Sequence, residues 1–171
     1  MINSTERIYQ IPFCQILGLK GYHVLHLSSH GASEHGKDII AKDNNNQPCA
    51  FQLKTGDINT SKWRQIYPEI TELVETAIDH PSINTQHMRR TILVTNGKIN
   101  DDVRTKITSL NREYKRRNLP KLEIITGKEL LQDFIAAQGL FLPSEPKELQ
   151  DFLELYTSDG RQNIDEQKYS N

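Results

Sequence analysis

The stretch Gly31-Ala-Ser-Glu-His-Gly-Lys-Asp-Ile-Ile-Ala41, followed after a polar connection by Ala50-Phe-Gln-Leu-Lys-Thr-Gly-Asp57, decides how this chain folds. Two apolar runs, Ile39-Ile40-Ala41 and Ala50-Phe51, flank the loop Asp43-Asn-Asn-Asn-Gln-Pro48. Asn and Asp tolerate left-handed backbone angles, so this loop suits a tight reversal. The pattern predicts a hairpin of adjacent strands over residues 37–42 and 48–55. Side chains alternate along a strand, so Gln52 and Lys54 share one face and Leu53 points to the other. Asp38, on the neighbouring strand, is then able to meet the Gln52–Lys54 face. Glu34 lies four residues before it, in a loop of Ser, Gly, Ala and His over residues 28–36.

Outward from the hairpin, the chain alternates between strand and helix signals. Before it, apolar positions from Ile8 to Leu19 suggest a helix, with Pro12 in its path. Either the helix starts at Pro12 and runs to Lys20, closed by Gly21, or it starts near Ser4 and kinks at Pro12. Residues 22–27 read as a strand. After the hairpin, Ile66, Ile70, Leu73, Val74 and Ile78 recur at helical spacing over residues 64–79, with Pro68 placed near the first turn and Pro81 as the stop. Residues 91–95 are uniformly apolar or Thr, as in a strand covered on both faces. Asn100-Asp101-Asp102 opens a second helix with capping and acidic residues. Residues 121–126 and 127–137 then read as a strand and a helix. This order predicts an α/β domain over residues 1–138, with a mixed central sheet flanked by helices. Residues 139–171 read as a linker, a short amphipathic helix over 147–156 and a polar tail, like either the opening of a further domain or a terminal arm that docks on a partner.

Composition sets limits on function. At 171 residues the chain fits one domain with a real core. A net charge of −1 excludes gripping nucleic acid by bulk charge and leaves room for local basic patches. No apolar run is long enough to cross a bilayer, and no membrane role is expected. The opening Met1-Ile-Asn-Ser-Thr-Glu-Arg7 lacks the layout of a secretory leader. Cys14 and Cys49 sit in apolar surroundings without metal-ligand spacing, as expected of reduced intracellular thiols. His23, His26, His30 and His35 crowd together, but they have no Cys partner and no helical i, i+4 pair, so no zinc site is expected.

The residues brought together by the hairpin suit one chemistry. Hydrolysing a phosphodiester needs charge screening on the phosphate, an activated water and a stabilised leaving oxygen. A hard divalent cation prefers oxygen ligands, and Asp38, the amide carbonyl of Gln52 and the peptide oxygen of Leu53 can supply them. Lys54 can orient the water or stabilise charge on phosphorus. One more carboxylate is needed, and Glu34 is favoured over Glu6.

Gly36-Lys37-Asp38, a hairpin and Gln52-Leu53-Lys54 together resemble the PD-(D/E)xK restriction-endonuclease-like superfamily. The pattern is most similar to the branch, including Mrr-like restriction nucleases, in which Gln replaces the acid before the lysine. The resemblance implies a restriction-endonuclease-like core and a metal-dependent DNA endonuclease. It further implies Mg2+ (or Mn2+) as cofactor, with Asp38, Gln52, Lys54 and Glu34 catalytic and Asp38, Gln52, Leu53 and Glu34 at the metal. It also implies cytoplasmic work in restriction or antiviral defence, as a homo-oligomer or beside a fused or associated sensor or ATPase domain. Lys37, Lys62, Arg64, Arg116 and Arg117 are the candidate DNA contacts. The last two lie in a basic cluster at a helix C-terminus, where the helix dipole also favours cations. The alternative reading is a module of the same fold that binds nucleic acid or assembles with partners but has lost the metal site. A junction or repair nuclease acting with a partner is a third.

Overall fold

The computed structural model describes residues 4–28, 37–84 and 89–141, and the side chains of 9–28, 37–84 and 89–137. The chain divides into two units, Met1–Ile135 and Ala136–Asn171. In order, the elements are α1 (Ser4–Leu19), β1 (His23–Leu27), β2 (Ile39–Lys42), β3 (Pro48–Lys54), α2 (Thr60–Glu75), β4 (Arg90–Thr95), α3 (Asp101–Arg116), β5 (Leu122–Ile125) and α4 (Gly127–Phe141). The expected loop over 28–36 and helix over 147–156 lie outside the described residues, apart from Ser28.

The five strands form one sheet in the order β1-β2-β3-β4-β5. The pairs β1–β2 and β2–β3 are antiparallel, whereas β3–β4 and β4–β5 are parallel. The mixed α/β sheet expected from the element order is therefore what forms. The antiparallel half follows from the short hairpin, and the parallel half from the helical crossovers α2 and α3. Asn46, at φ 64, turns the β2–β3 loop, as its Asn-rich composition predicts.

Each sheet face carries its own core. Phe13 and Leu17 of α1 and Leu130 of α4 pack with Ile39, Phe51 and Leu53 on one face. On the other, Ile66, Ile70 and Leu73 of α2 and Val103 and Ile107 of α3 pack with Ile40, Ala50 and Leu93. Strand alternation thus separates Phe51 and Leu53 from Ala50, and Gln52 and Lys54 fall on the α2 side.

The first helix takes one of its two expected readings, and three expectations for the second helix need correction. Of the two readings of the first helix, the longer one forms, and Pro12 lies inside it although it cannot donate to the carbonyl of Ile8. Phe13, Ile16 and Leu17 are each at most 2% exposed, and their burial offsets the lost bond. The second helix starts at Thr60, four residues earlier than its apolar stripe suggests, because the Asn59 side chain accepts the N–H of Lys62 at 2.9 Å and caps it. It ends at Glu75, before Pro81, since Thr76 is already extended. Pro68 consequently stands mid-helix rather than in the first turn.

The loops leaving β3 and β4 are tied together just beyond Lys54. Thr95 Oγ1 donates to Gly56 O at 2.6 Å, and Gly56 N donates to Asn96 Oδ1 at 2.6 Å. A Cβ on Gly97 would lie 2.3 Å from the Gly56 carbonyl carbon, so only glycine permits this approach.

Candidate active site

The start of β2 and the end of β3 meet in register. Ile39 stands opposite Phe51, which places Asp38 beside Gln52 on the α2 face. Asp38 N donates to Phe51 O at 2.8 Å, and Asp38 Oδ2 accepts Leu53 N at 2.6 Å and Gln52 Nε2 at 2.9 Å. The carboxylate thus continues the ladder where the β2 backbone has left it. In an extended strand the N–H and C=O of one residue turn to the same side. The Leu53 peptide oxygen therefore faces the Asp38 edge along with its N–H.

Gln52 and Lys54 are 3% and 6% exposed, low values for residues of their polarity. The Gln52 amide nitrogen donates to Asp38 Oδ2 at 2.9 Å and lies 3.4 Å from Glu69 Oε2. Gln52 Oε1 is buried and accepts no hydrogen bond. Such an orphan oxygen is costly unless something electropositive meets it. Lys54 Nζ lies 2.6 Å from Glu69 Oε2.

Helix α1 buttresses both strands from the opposite face. Tyr9 Oη donates to Lys54 O at 2.7 Å, and Gln10 Nε2, itself buried, donates to Asp38 O at 3.2 Å. The two residues proposed to carry chemistry are thus gripped by their peptide oxygens, leaving the carboxylate and amine to the site.

The structure brings Asp38, Gln52, Leu53 and Lys54 together. Glu34, His30 and His35 lie outside the described residues. Glu6 stands on α1 one helical turn before Tyr9 and Gln10, and its side chain is outside the described set. Among the described residues no group of three His, Cys, Asp or Glu is gathered. The expected DNA contact Lys37 is 3% exposed. Burial, with Arg89 nearby, lowers its amine to about 8, while Glu72 opposes that shift. Lys62 is half-buried and Arg64 exposed in the first turns of α2. Arg116 borders an open groove of about 500 Å³ with Trp63 and Tyr67. Arg117 caps α3 and pairs with Glu75 at 2.6 Å, which also raises its pKa. Trp63 is buried, as a core anchor.

Sequence reasoning missed Glu69, Tyr9 and Gln10. A faint signal for Glu69 existed, since it follows Ile66 by three residues and precedes Ile70, on the flank of the stripe that faces the sheet. Nothing in the sequence indicated how far that flank leans over β3.

The thiols stand apart from this chemistry. Both cysteines are free, Cys49 buried and Cys14 half-buried. Burial pushes Cys49 up to about 12 and Cys14 up to about 11, the opposite of an activated nucleophile. Among the described residues no helix is long and apolar enough to cross a membrane.

Fold and site together define an α/β protein with a carboxylate–amide–amine cluster on adjacent strands. No family model matches the chain, and no curated protein matches it. Among solved structures, the chain is similar to the MspJI restriction endonuclease in complex with a 27-mer oligonucleotide. That likeness has a TM-score of 0.43 at 11% identity, over 90% of this chain and 31% of the other. The chain therefore spans less than a third of that protein's length.

Proposed function

We propose that this chain is a divalent-metal-dependent endodeoxyribonuclease with a restriction-endonuclease-like core of the Gln-x-Lys, Mrr-like type. The observation that carries the reading is the buried, unpartnered Gln52 Oε1, on an amide whose NH2 end meets Asp38 at 2.9 Å, with the Lys54 amine on the same strand face. An amide oxygen and a carboxylate form a hard-oxygen donor set that fits Mg2+, with Mn2+ as a substitute. Asp38, Gln52 Oε1 and the Leu53 peptide oxygen would hold the ion, with Glu34 as second carboxylate and Glu6 as its competitor. A cation bound there would lower the pKa of water and screen the phosphate.

The chain's own residues do the rest. Asp38 fixes the amide of Gln52 so that its carbonyl, not its NH2, is presented. The Lys54 amine donates to the attacking water or to a non-bridging phosphate oxygen, where negative charge grows as the P–O bond to the leaving oxygen lengthens. Its low exposure strengthens that interaction by keeping bulk water away. Lys62, Arg64, Arg116 and Arg117 are the proposed contacts to the DNA backbone. The biological setting proposed is cytoplasmic restriction or antiviral defence, with a second copy or an associated sensor or ATPase domain as partner.

Plasmid cleavage with Mg2+, comparing wild type with Lys54→Ala, tests this reading. Nicked or linear product from wild type only is expected. Equal cleavage by both proteins removes Lys54 from the mechanism. No cleavage by either, with any divalent metal and with a partner supplied, favours the metal-free binding module instead.

A further inference from the structure

Glu69 touches two members of the site from a separate element. Its Oε2 lies 2.6 Å from the Lys54 amine and 3.4 Å from the Gln52 amide nitrogen. The Lys54 side chain is 8% exposed and that of Glu69 is 46% exposed, so the amine is enclosed and the carboxylate reaches in from the surface. Two physical demands converge on this carboxylate. A buried ammonium needs a countercharge, and Gln52, being neutral, provides none on its own strand. An amide flips between two nearly isosteric orientations, and its neighbours decide which end faces where. Here the Gln52 amide nitrogen is within reach of both Asp38 and Glu69, which leaves the carbonyl oxygen as the end of the amide without a partner.

We propose that Glu69 is a positioning residue, resting on the nuclease reading above: it anchors the Lys54 amine and locks Gln52 with its carbonyl presented, without itself holding the metal. Its substitution then disturbs the reaction and spares ion binding, whereas loss of Asp38 removes both. The separation is one of geometry. Glu69 contacts the amine and the NH2 end of the amide, while the orphan oxygen lies at the other end.

The experiment pairs cleavage kinetics with calorimetry of Mn2+ binding on wild type, Glu69→Gln, Glu69→Asp and Asp38→Asn, each checked for folding by its melting curve. Glu69→Gln is expected to lower kcat about a hundredfold, the order produced by a small misplacement of a reacting group, with KM for DNA unchanged. Its heat of Mn2+ binding is expected to match wild type, and that of Asp38→Asn to vanish. Glu69→Asp, which keeps the charge on a shorter arm, is expected to recover part of the rate. Should Glu69→Gln not fold, the same two measurements on Glu69→Asp decide, with a lowered kcat and normal Mn2+ binding expected. Wild-type kcat in Glu69→Gln overturns the proposal. Loss of Mn2+ binding in Glu69→Gln also overturns it, by making Glu69 a ligand. A wild type that neither binds Mn2+ nor cleaves overturns the nuclease reading itself, a result distinct from either of these.

Discussion

The backbone N–H of Leu53 donates to the Asp38 carboxylate at 2.6 Å, so the residue proposed to hold a metal also completes the β2–β3 ladder. One side chain therefore serves both fold and chemistry, and substitutions at Asp38 separate the two roles.

Asp38→Asn keeps an accepting oxygen for Leu53 N–H but loses the charge, whereas Asp38→Ala removes both. Urea unfolding is expected to place Asp38→Ala about 1–3 kcal/mol below wild type, the range for stranding buried donors. Asp38→Asn is expected to stay much closer to wild type. Both are expected to be inactive on plasmid DNA. If Asp38→Ala proves as stable as wild type, the ladder contact contributes nothing.

Gln52→Glu places a second carboxylate beside Asp38, in a position where the present side chain is 3% exposed. Without metal, two like charges at hydrogen-bonding range repel and disfavour the folded state, or force one to keep its proton. The variant is therefore expected to melt lower than wild type in EDTA and to regain the loss, or more, in excess Mg2+ or Mn2+. The difference between the two melting temperatures is the readout. If the metal raises neither protein's melting point, this pair of residues does not hold the cation.

Cys49 and Cys14 are raised from 9.0 to about 12 and about 11 by burial, and Tyr114 from 10.0 to about 12, again mainly by burial. The sign follows from linkage. Folding favours the protonated forms, so the folded state binds more protons than the unfolded state above pH 9. Stability from these groups is fully present below pH 9 and is lost as pH rises through about 11 to 12. Denaturant midpoints are expected to fall steadily over that alkaline range, and the fall is expected to be shallower in Cys49→Ala. A thiol reagent at about pH 8 is expected to label the native protein slowly and the unfolded protein at once. Fast labelling of both thiols in the native state would contradict the assigned burial.

Much of the architecture was legible because the signals were local. Asn100 caps α3 through Val103 N, as the Asn-Asp-Asp run indicates. The apolar run over 91–95 became β4, buried along nearly its whole length. Where local signals conflicted, packing decided. Pro12 reads as a helix breaker, yet α1 passes through it because Phe13, Ile16 and Leu17 bury together only if the helix continues. Lys37, a charged residue, is 3% exposed, because burial depends on what covers a residue and not on its type.

The sequence by itself determined the order of elements, the β2–β3 hairpin and the company of Asp38, Gln52 and Lys54. A hairpin couples residues close along the chain, and a period of two fixes which side chains share a face. Only the tertiary structure decided what surrounds that trio. It set α2 at the rotation and tilt that carry Glu69 to within 2.6 Å of Lys54. It also set α1 so that Tyr9 and Gln10 grip the peptide oxygens of Lys54 and Asp38. Helix placement over a sheet is settled by how two separate cores interlock, and no short window of residues encodes that sum.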